Sequence, residues 1–211
     1  MNNILVFFII ISAILDIKAV YSGSKKQEYF FKPITTTLII ILAFTQNTIL
    51  PDAQFYKNMI LSGLFFSLLG DIFIMLPSDK FIQGLISFLI AHIFYIIAFN
   101  SNITQPVSYL YILPFIIYGF LMFGYLYSNL DKLKIPVIVY ITIIMIMVFE
   151  SLSSYLLLKN TYSLLAFIGA FLFMISDTVL AIDKFKKKFK LAELIILSTY
   201  FSAQVFIALS I

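Results

Sequence analysis

Eight apolar runs, each close to the length a helix needs to cross a bilayer, divide the chain at about 4–21, 33–50, 56–76, 81–99, 109–127, 135–157, 161–182 and 191–210. A hydrocarbon core about 30 Å thick is spanned by roughly 20 apolar residues rising 1.5 Å each. No water in that core can satisfy a backbone N–H or C=O, so runs of this length must close their hydrogen bonds internally as helices. The sequence is therefore read as an all-α polytopic transmembrane bundle of eight spans, a single domain over residues 1–211. The breaks carry turn-forming residues: Ser22, Gly23 and Ser24; Pro51 and Asp52; Pro77, Ser78 and Asp79; Pro106; Asn129 and Asp131; Lys159 and Asn160; and the run DKFKKKFK. The first run resembles a signal peptide in length, but MNNILVFF lacks a positive leading region, and it is read as a retained helix. Only 11% of the 211 residues are charged, against roughly 25% in soluble domains, which excludes a soluble globular protein.

Lysine placement sets the expected orientation. The chain has no arginine, and 11 of its 14 lysines fall in the connections that follow spans one, three, five and seven. Lys57 and Lys159 lie on the other side, and Lys18 lies within the first span. Cytoplasmic loops hold the positive excess, so both termini are expected outside the cytoplasm. The net charge of +4 is explained by this topology and by attraction to anionic membrane lipids, and no nucleic-acid partner is expected. With no cysteine and one histidine, His92, thiolate and imidazole metal sites lack their ligands, and no metal or cofactor is expected. The lysine-only, Phe- and Ile-rich composition reads as bacterial, which suggests the inner membrane.

An aspartate near the middle of a lipid-embedded helix costs roughly 2.5–3.5 kcal/mol even on insertion scales, so each one invites a functional explanation. Asp71 lies six residues before Pro77, and Asp177 seven before Lys184. By helical rise these positions are roughly 9 and 10 Å inside the same face of the membrane. Lys32 opens span two from that side, Tyr140 is one turn into span six, and Tyr200 and Gln204 share a face of span eight. His92 and Tyr95 sit deeper. These residues are expected to line one cavity open to the cytoplasmic half. Gly63, Gly70, Gly84 and Gly169 read as packing positions, Glu150 as interfacial, and Asp16 with Lys18 as a local snorkelling arrangement. Lys32-Pro33 recurs as Lys134-Ile135-Pro136, and Asp71 with Phe81 as Asp177 with Phe185. Offsets of 102–106 residues, across four spans, suggest two parallel four-helix repeats, an arrangement that places sites at the repeat interface.

The stretches GDIFIMLPSDKFIQGLISFLIAHIFYIIAF, KIPVIVYITIIM, GAFLFMISDTVLAIDKF and TYFSAQVFIA, with FKP at 31–33, resemble the successive signatures of the YhhN family, the lysoplasmalogenases. The resemblance runs from about residue 31 to the C-terminus. It implies an eight-span enzyme that hydrolyses the vinyl ether bond of a lysophospholipid substrate, lysoplasmalogen, releasing a fatty aldehyde and a glycerophospho-ethanolamine or glycerophospho-choline. Its most specific elements are Gly70-Asp71 followed by Phe81, Gly84, His92 and Tyr95, and Ser176-Asp177 followed by Tyr200 and Gln204.

The chemistry of that reaction can be matched to the residues. Protonation of the outer alkene carbon gives an oxocarbenium ion, water captures it, and the hemiacetal falls apart. Such a path needs an acid and a nearby negative charge, and two carboxylates in one low-dielectric pocket supply both when burial and mutual repulsion leave a proton on one of them. Paired carboxylates divide the same labour on glycosidic oxocarbenium ions. Asp71 and Asp177 are expected to be catalytic. Lys32 suits the substrate phosphate as a point charge, with His92, Tyr95, Tyr140, Ser176, Tyr200 and Gln204 as substrate-binding residues. A lipid or small-molecule transporter would use the same buried charges, but it would expose them to both sides in turn, whereas here they cluster in one half. A scaffold would leave both aspartates unexplained.

Overall fold

In the computed structural model, which describes residues 2–47, 51–76, 80–101, 103–105 and 107–211, eight long helices form the bundle. They are α1 (Asn2–Tyr21), α2 (Lys25–Phe44), α3 (Pro51–Met75), α4 (Phe81–Ser101), α5 (Leu113–Leu126), α6 (Lys134–Leu158), α7 (Thr161–Phe185) and α8 (Ala192–Leu209). Among the described residues, all but α2 are long and apolar enough to cross a membrane, α5 when taken with the helical turns that flank it over Tyr109–Asn129. The turn expected at Pro77, Ser78 and Asp79, and the one at Pro106, lie outside the described residues. Of the remaining breaks, three contain a left-handed backbone: Gly23 at φ +70°, Asp131 at +42° and Lys159 at +48°. Reversing the chain within a few residues requires such positions.

The eighth helix departs from its expected bounds. The sequence reading starts span two at residue 33, yet α2 begins eight residues earlier and runs through Pro33. Its first turns are held by an ion pair between Lys25 and Glu28 at 2.8 Å, and they turn Glu28 and Lys32 inward, each 7% exposed. A hydropathy pattern cannot signal a helix start whose charges point into the bundle. At its far end the Lys57 ammonium donates to the carbonyls of Phe44 at 2.7 Å and Gln46 at 2.5 Å. A cation there satisfies carbonyls left open by the helix end and complements its dipole.

Contacts between residues distant in the sequence sort the connections between the two ends of the bundle. Tyr21 donates to the carbonyl of Lys190 at 2.8 Å, Lys186 donates to Asn129 at 3.1 Å, and the rings of Phe81 and Phe185 meet edge to face. The lysine-bearing connections thus share one end. At the other, Tyr56 bonds Ser210 at 2.7 Å and Asn100 donates to Glu150 at 3.1 Å. Large apolar side chains such as Phe7, Phe8, Phe120 and Leu121 face outward, the surface expected of a bundle dissolved in lipid.

The repeat suggested by the sequence reappears in the packing. Gly63 of α3 lies against the ring of Tyr95 on α4, and Gly169 of α7 lies against Ala203 and Ile207 on α8. Gly70 meets Phe88, while the Ser176 hydroxyl donates to the Ile196 carbonyl at 3.0 Å. Positions on α3 and α7 are therefore matched at an offset of 106 residues, and those on α4 and α8 at 108. Small residues at these crossings let the backbones approach, the means by which helices associate where lipid is as apolar as leucine.

Candidate functional site

Asp71 is 4% exposed and receives two hydrogen bonds on one oxygen. The Thr36 hydroxyl donates to Oδ2 at 2.5 Å from α2, and the Tyr200 hydroxyl at 2.8 Å from α8. Behind Tyr200 the chain continues: Gln204 Nε2 donates to the Tyr200 oxygen at 3.2 Å, and the Tyr95 hydroxyl donates to Gln204 Oε1 at 2.9 Å. All these side chains are buried, and a satisfied polar network in a low-dielectric interior is rigid. Lys32, one turn before Thr36 on α2, is buried on the same helix face, and its ammonium forms no hydrogen bond or ion pair with Asp71.

Asp177 sits in a different setting. The Tyr140 hydroxyl of α6 donates to its Oδ2 at 2.6 Å, and His92 Nε2 of α4 lies 3.9 Å from the same oxygen. Both ring nitrogens of His92 are fully buried without a hydrogen-bond partner. Asp177 and Tyr140 form the polar edge of a cavity of about 60 Å³. Its remaining walls are almost wholly apolar, among them Ile74, Leu85, Phe88, Leu126, Ile144 and Met174. On this cavity's wall Tyr118 and Thr178 are hydrogen bonded to each other.

Between the carboxylates stands a cluster of rings. Tyr200 packs edge to face on Phe88 at 5.8 Å and on Phe173 at 5.4 Å, and Phe173 packs on His92 at 4.7 Å. Asp71 and Asp177 share no hydrogen bond and no common donor. The mutual repulsion expected from the sequence is thus not a direct contact, and each carboxylate is instead held by its own tyrosine on either side of the aromatic cluster. Their surroundings are related by the repeat. Asp71 meets Thr36 of α2 and Tyr200 of α8; Asp177 meets Tyr140 of α6 and His92 of α4. The offsets are 106 for the aspartates, 104 for Thr36 and Tyr140, and 108 for His92 and Tyr200.

Tyr95, Tyr200 and Gln204 come together with Asp71, and Tyr140 and His92 with Asp177. Lys32 stands beside the Asp71 group. Ser176 stands apart, its hydroxyl committed to the Ile196 carbonyl as a clasp between α7 and α8. Two residues were missed. Thr36 follows Lys32 by one turn and so shares its helix face, a signal lost in the run Thr35-Thr36-Thr37. The sequence reads Asp16 with Lys18 as a local snorkelling arrangement, but Lys18 is exposed and Asp16 is fully buried, with neither oxygen hydrogen bonded.

Comparison with known proteins places this arrangement. The model of the YhhN family matches residues 27–211, which include every residue of both carboxylate groups. The chain belongs to the YhhN family. It is 29% identical to the "Uncharacterized membrane protein YhhN" of Escherichia coli O157:H7 over 203 residues, 95% of each chain. It is 33% identical over 153 residues to "Lysoplasmalogenase TMEM86A" of Bos taurus, covering 70% of this chain and 62% of that one. With "Lysoplasmalogenase TMEM86B" of Homo sapiens it shares 33% identity over 160 residues, 74% and 64% of the two chains. No solved structure matches. This YhhN-family chain is a membrane protein homologous to lysoplasmalogenases.

Proposed function

We propose that the protein is a hydrolase of the bacterial inner membrane that cleaves the vinyl ether bond of lysoplasmalogen-type lysophospholipids, with both termini outside the cytoplasm. The observation that carries the reading is Asp177, oriented by Tyr140, at the polar edge of an apolar cavity. A cavity of this lining suits an alkenyl chain. The carboxyl that meets the chain is the one able to reach the outer alkene carbon, so Asp177 is assigned as the acid. Asp71, with two hydroxyl donors and the Lys32 charge, is the better-supported anion. It lies on the side where Lys32 would hold the phosphate.

In this mechanism Asp177 gives its proton to the outer alkene carbon, and the double-bond electrons move to form the oxocarbenium ion. Water adds to the cationic carbon and passes a proton to Asp71. The hemiacetal then loses its hydroxyl proton to Asp177 as the carbon–oxygen bond to glycerol breaks, and Asp71 protonates the departing oxygen. One water is consumed and both carboxyl groups return to their starting states. The unpartnered nitrogens of His92, beside Asp177, offer a hydrogen bond to orient the water. The Tyr95–Gln204–Tyr200 chain keeps Asp71 in place, a preorganisation that reduces the rearrangement required in the transition state.

The test is incubation of the purified protein with an alkenyl lysophospholipid and with its saturated ether analogue. Aldehyde should appear from the first alone. Absence of aldehyde from the alkenyl lipid, with a folded protein in lipid or detergent, would sink the proposal and restore the transporter reading.

A further inference from the structure

Two cavities meet at one hydrogen bond. The cavity that ends on Asp177 has about 60 Å³ of room, and a water-sized group takes roughly 10–15 Å³ of such room, so it holds about four to six of them. A lipid chain filling one leaflet is roughly 15 Å long, half of the hydrocarbon core, and does not fit there. Towards the lysine-bearing end the cavity is bounded by the rings of Phe81 and Phe185, which meet edge to face at 5.8 Å. On another side stand Tyr118, Met174 and Thr178, and these three also line a second hollow, of about 320 Å³, between α5 and α7. Its further walls are Pro114 and Phe115 on α5 and Phe171, Ile175 and Val179 on α7, so apart from the Tyr118 and Thr178 hydroxyls it is apolar. Pro114 and Phe171 are exposed, which opens the hollow to the lipid around the bundle. The Thr178 hydroxyl donates to the Met174 carbonyl at 2.6 Å, so in its contact with Tyr118 it accepts and the Tyr118 hydroxyl donates. That bond is the partition between the two spaces. α5 itself is seated on α6, where Gly119 lies against Met145 and Ile141.

We propose that the hollow between α5 and α7 is the track for the far part of the substrate's hydrocarbon chain, which reaches it from the Asp177 cavity by passing between Tyr118 and Thr178. The inference rests on the proposed hydrolase reading and adds to it the path of the chain and the residues that set its accepted length. Direction supports it. Phe171 lies seven residues before Thr178 on α7, so the track runs roughly 10 Å away from the lysine-bearing end. A single-chain lipid in the leaflet at that end points its tail the same way, towards the middle of the membrane. With the vinyl ether at Asp177 and the first methylenes in the inner cavity, a further run of roughly 10 Å accommodates the rest of a chain of leaflet length. A lipid with two chains would have to leave the second outside, so the track suits a lysophospholipid. For a chain to pass, the Tyr118 hydroxyl must swing away from Thr178, which keeps its own bond to the Met174 carbonyl.

The test uses the full-length protein in detergent micelles and a saturated ether lysophospholipid with a photoactivatable diazirine at the end of its chain. Mass spectrometry should place the cross-link on Phe171, Ile175 or Val179. Unlabelled saturated ether lysophospholipid should compete it away, and the same excess of a two-chain phospholipid should not. Cross-links spread over outward-facing residues such as Ile117 and Phe120, or equal competition by the two-chain lipid, would reveal ordinary boundary lipid and overturn the proposal. This readout needs no bond cleavage and no variant, so its outcome is separate from that of the hydrolase reading. In the cleavage assay, Ile175→Trp fills the track and should lower kcat/KM for a long alkenyl chain about tenfold relative to one short enough for the inner cavity. Ile117→Trp, on the lipid face of α5, should keep the wild-type ratio. Equal losses on both chains from Ile175→Trp would defeat the track and leave the hydrolase reading standing.

Discussion

Replacing Asp71 by Asn separates its chemical role from its structural one. Both hydrogen bonds reach a single oxygen, Oδ2, from Thr36 at 2.5 Å and Tyr200 at 2.8 Å. The amide oxygen of Asn can occupy that place and keep both donors, so the network through Gln204 and Tyr95 survives. Its loss of charge even relieves a burial cost. Folding should therefore change little, while the proton transfer to and from the carboxylate is lost. General acid-base groups contribute about 10²–10⁴ in rate, so turnover should fall at least about a hundredfold, equivalent to about 2.7 kcal/mol of barrier. Tyr200→Phe should behave in the opposite sense. It deletes a hydrogen bond to a carboxylate, worth about 1.5–3 kcal/mol, and strands the Gln204 amide, so stability should fall more than it does in Asp71→Asn. Aldehyde release from alkenyl lysophospholipid gives the rate, and the unfolding midpoint in detergent gives the stability. An Asn variant that folds normally and keeps near-native turnover would refute the assignment and leave Asp71 as interhelical glue.

Asp177→Asn should likewise lower turnover at least about a hundredfold, and the double Asn variant should cost little more than the worse single one because both groups serve one reaction sequence; multiplicative losses in kcat would argue against a shared mechanism. Gly63→Ala forces a methyl into the Tyr95 ring and should destabilise the protein by about 1–3 kcal/mol, with an unchanged midpoint counting against the close crossing of α3 and α4. A C-terminal reporter fusion should register outside the cytoplasm, and a cytoplasmic signal would reverse the orientation proposed from the lysines. Exhaustive chelation should leave aldehyde release intact; loss restored by one specific metal would overturn the carboxylate mechanism.

What was legible in the sequence follows from what depends on short-range order. Spans of about 20 apolar residues declare themselves, and Tyr200 with Gln204 could be placed on one face because i and i+4 are neighbours on any helix. That Asp71 and Asp177 lie towards the lysine-bearing ends of α3 and α7 could be counted from the nearest break. The inward turn of Lys32 and Glu28 was hidden, because hydropathy averages over direction and a charged first turn looks like a loop. Asp16 was misassigned to Lys18 for the same reason: two residues apart on a helix, they point away from each other, and only the packing of α2 and α8 around α1 buries one of them. The separation of the two carboxylates by Phe88, Phe173 and Tyr200 depends on which rings meet across helices. Side-chain spacing along one chain does not carry that information.

The matched surroundings of the two aspartates have a consequence for ancestry. Each carboxylate is served by a helix of its own half and by one of the other half: Asp71 by α2 and α8, Asp177 by α6 and α4. A half-length ancestor pairing with itself would have built two identical centres across its two-fold axis, neither of them complete in a lone subunit. An amphiphile has no such symmetry. In the present chain the two settings differ, with Asp71 in a polar network beside Lys32 and a cavity of aliphatic and aromatic walls beside Asp177. Two halves matched in helix arrangement thus carry one carboxylate in a buried polar network and the other against an oily wall.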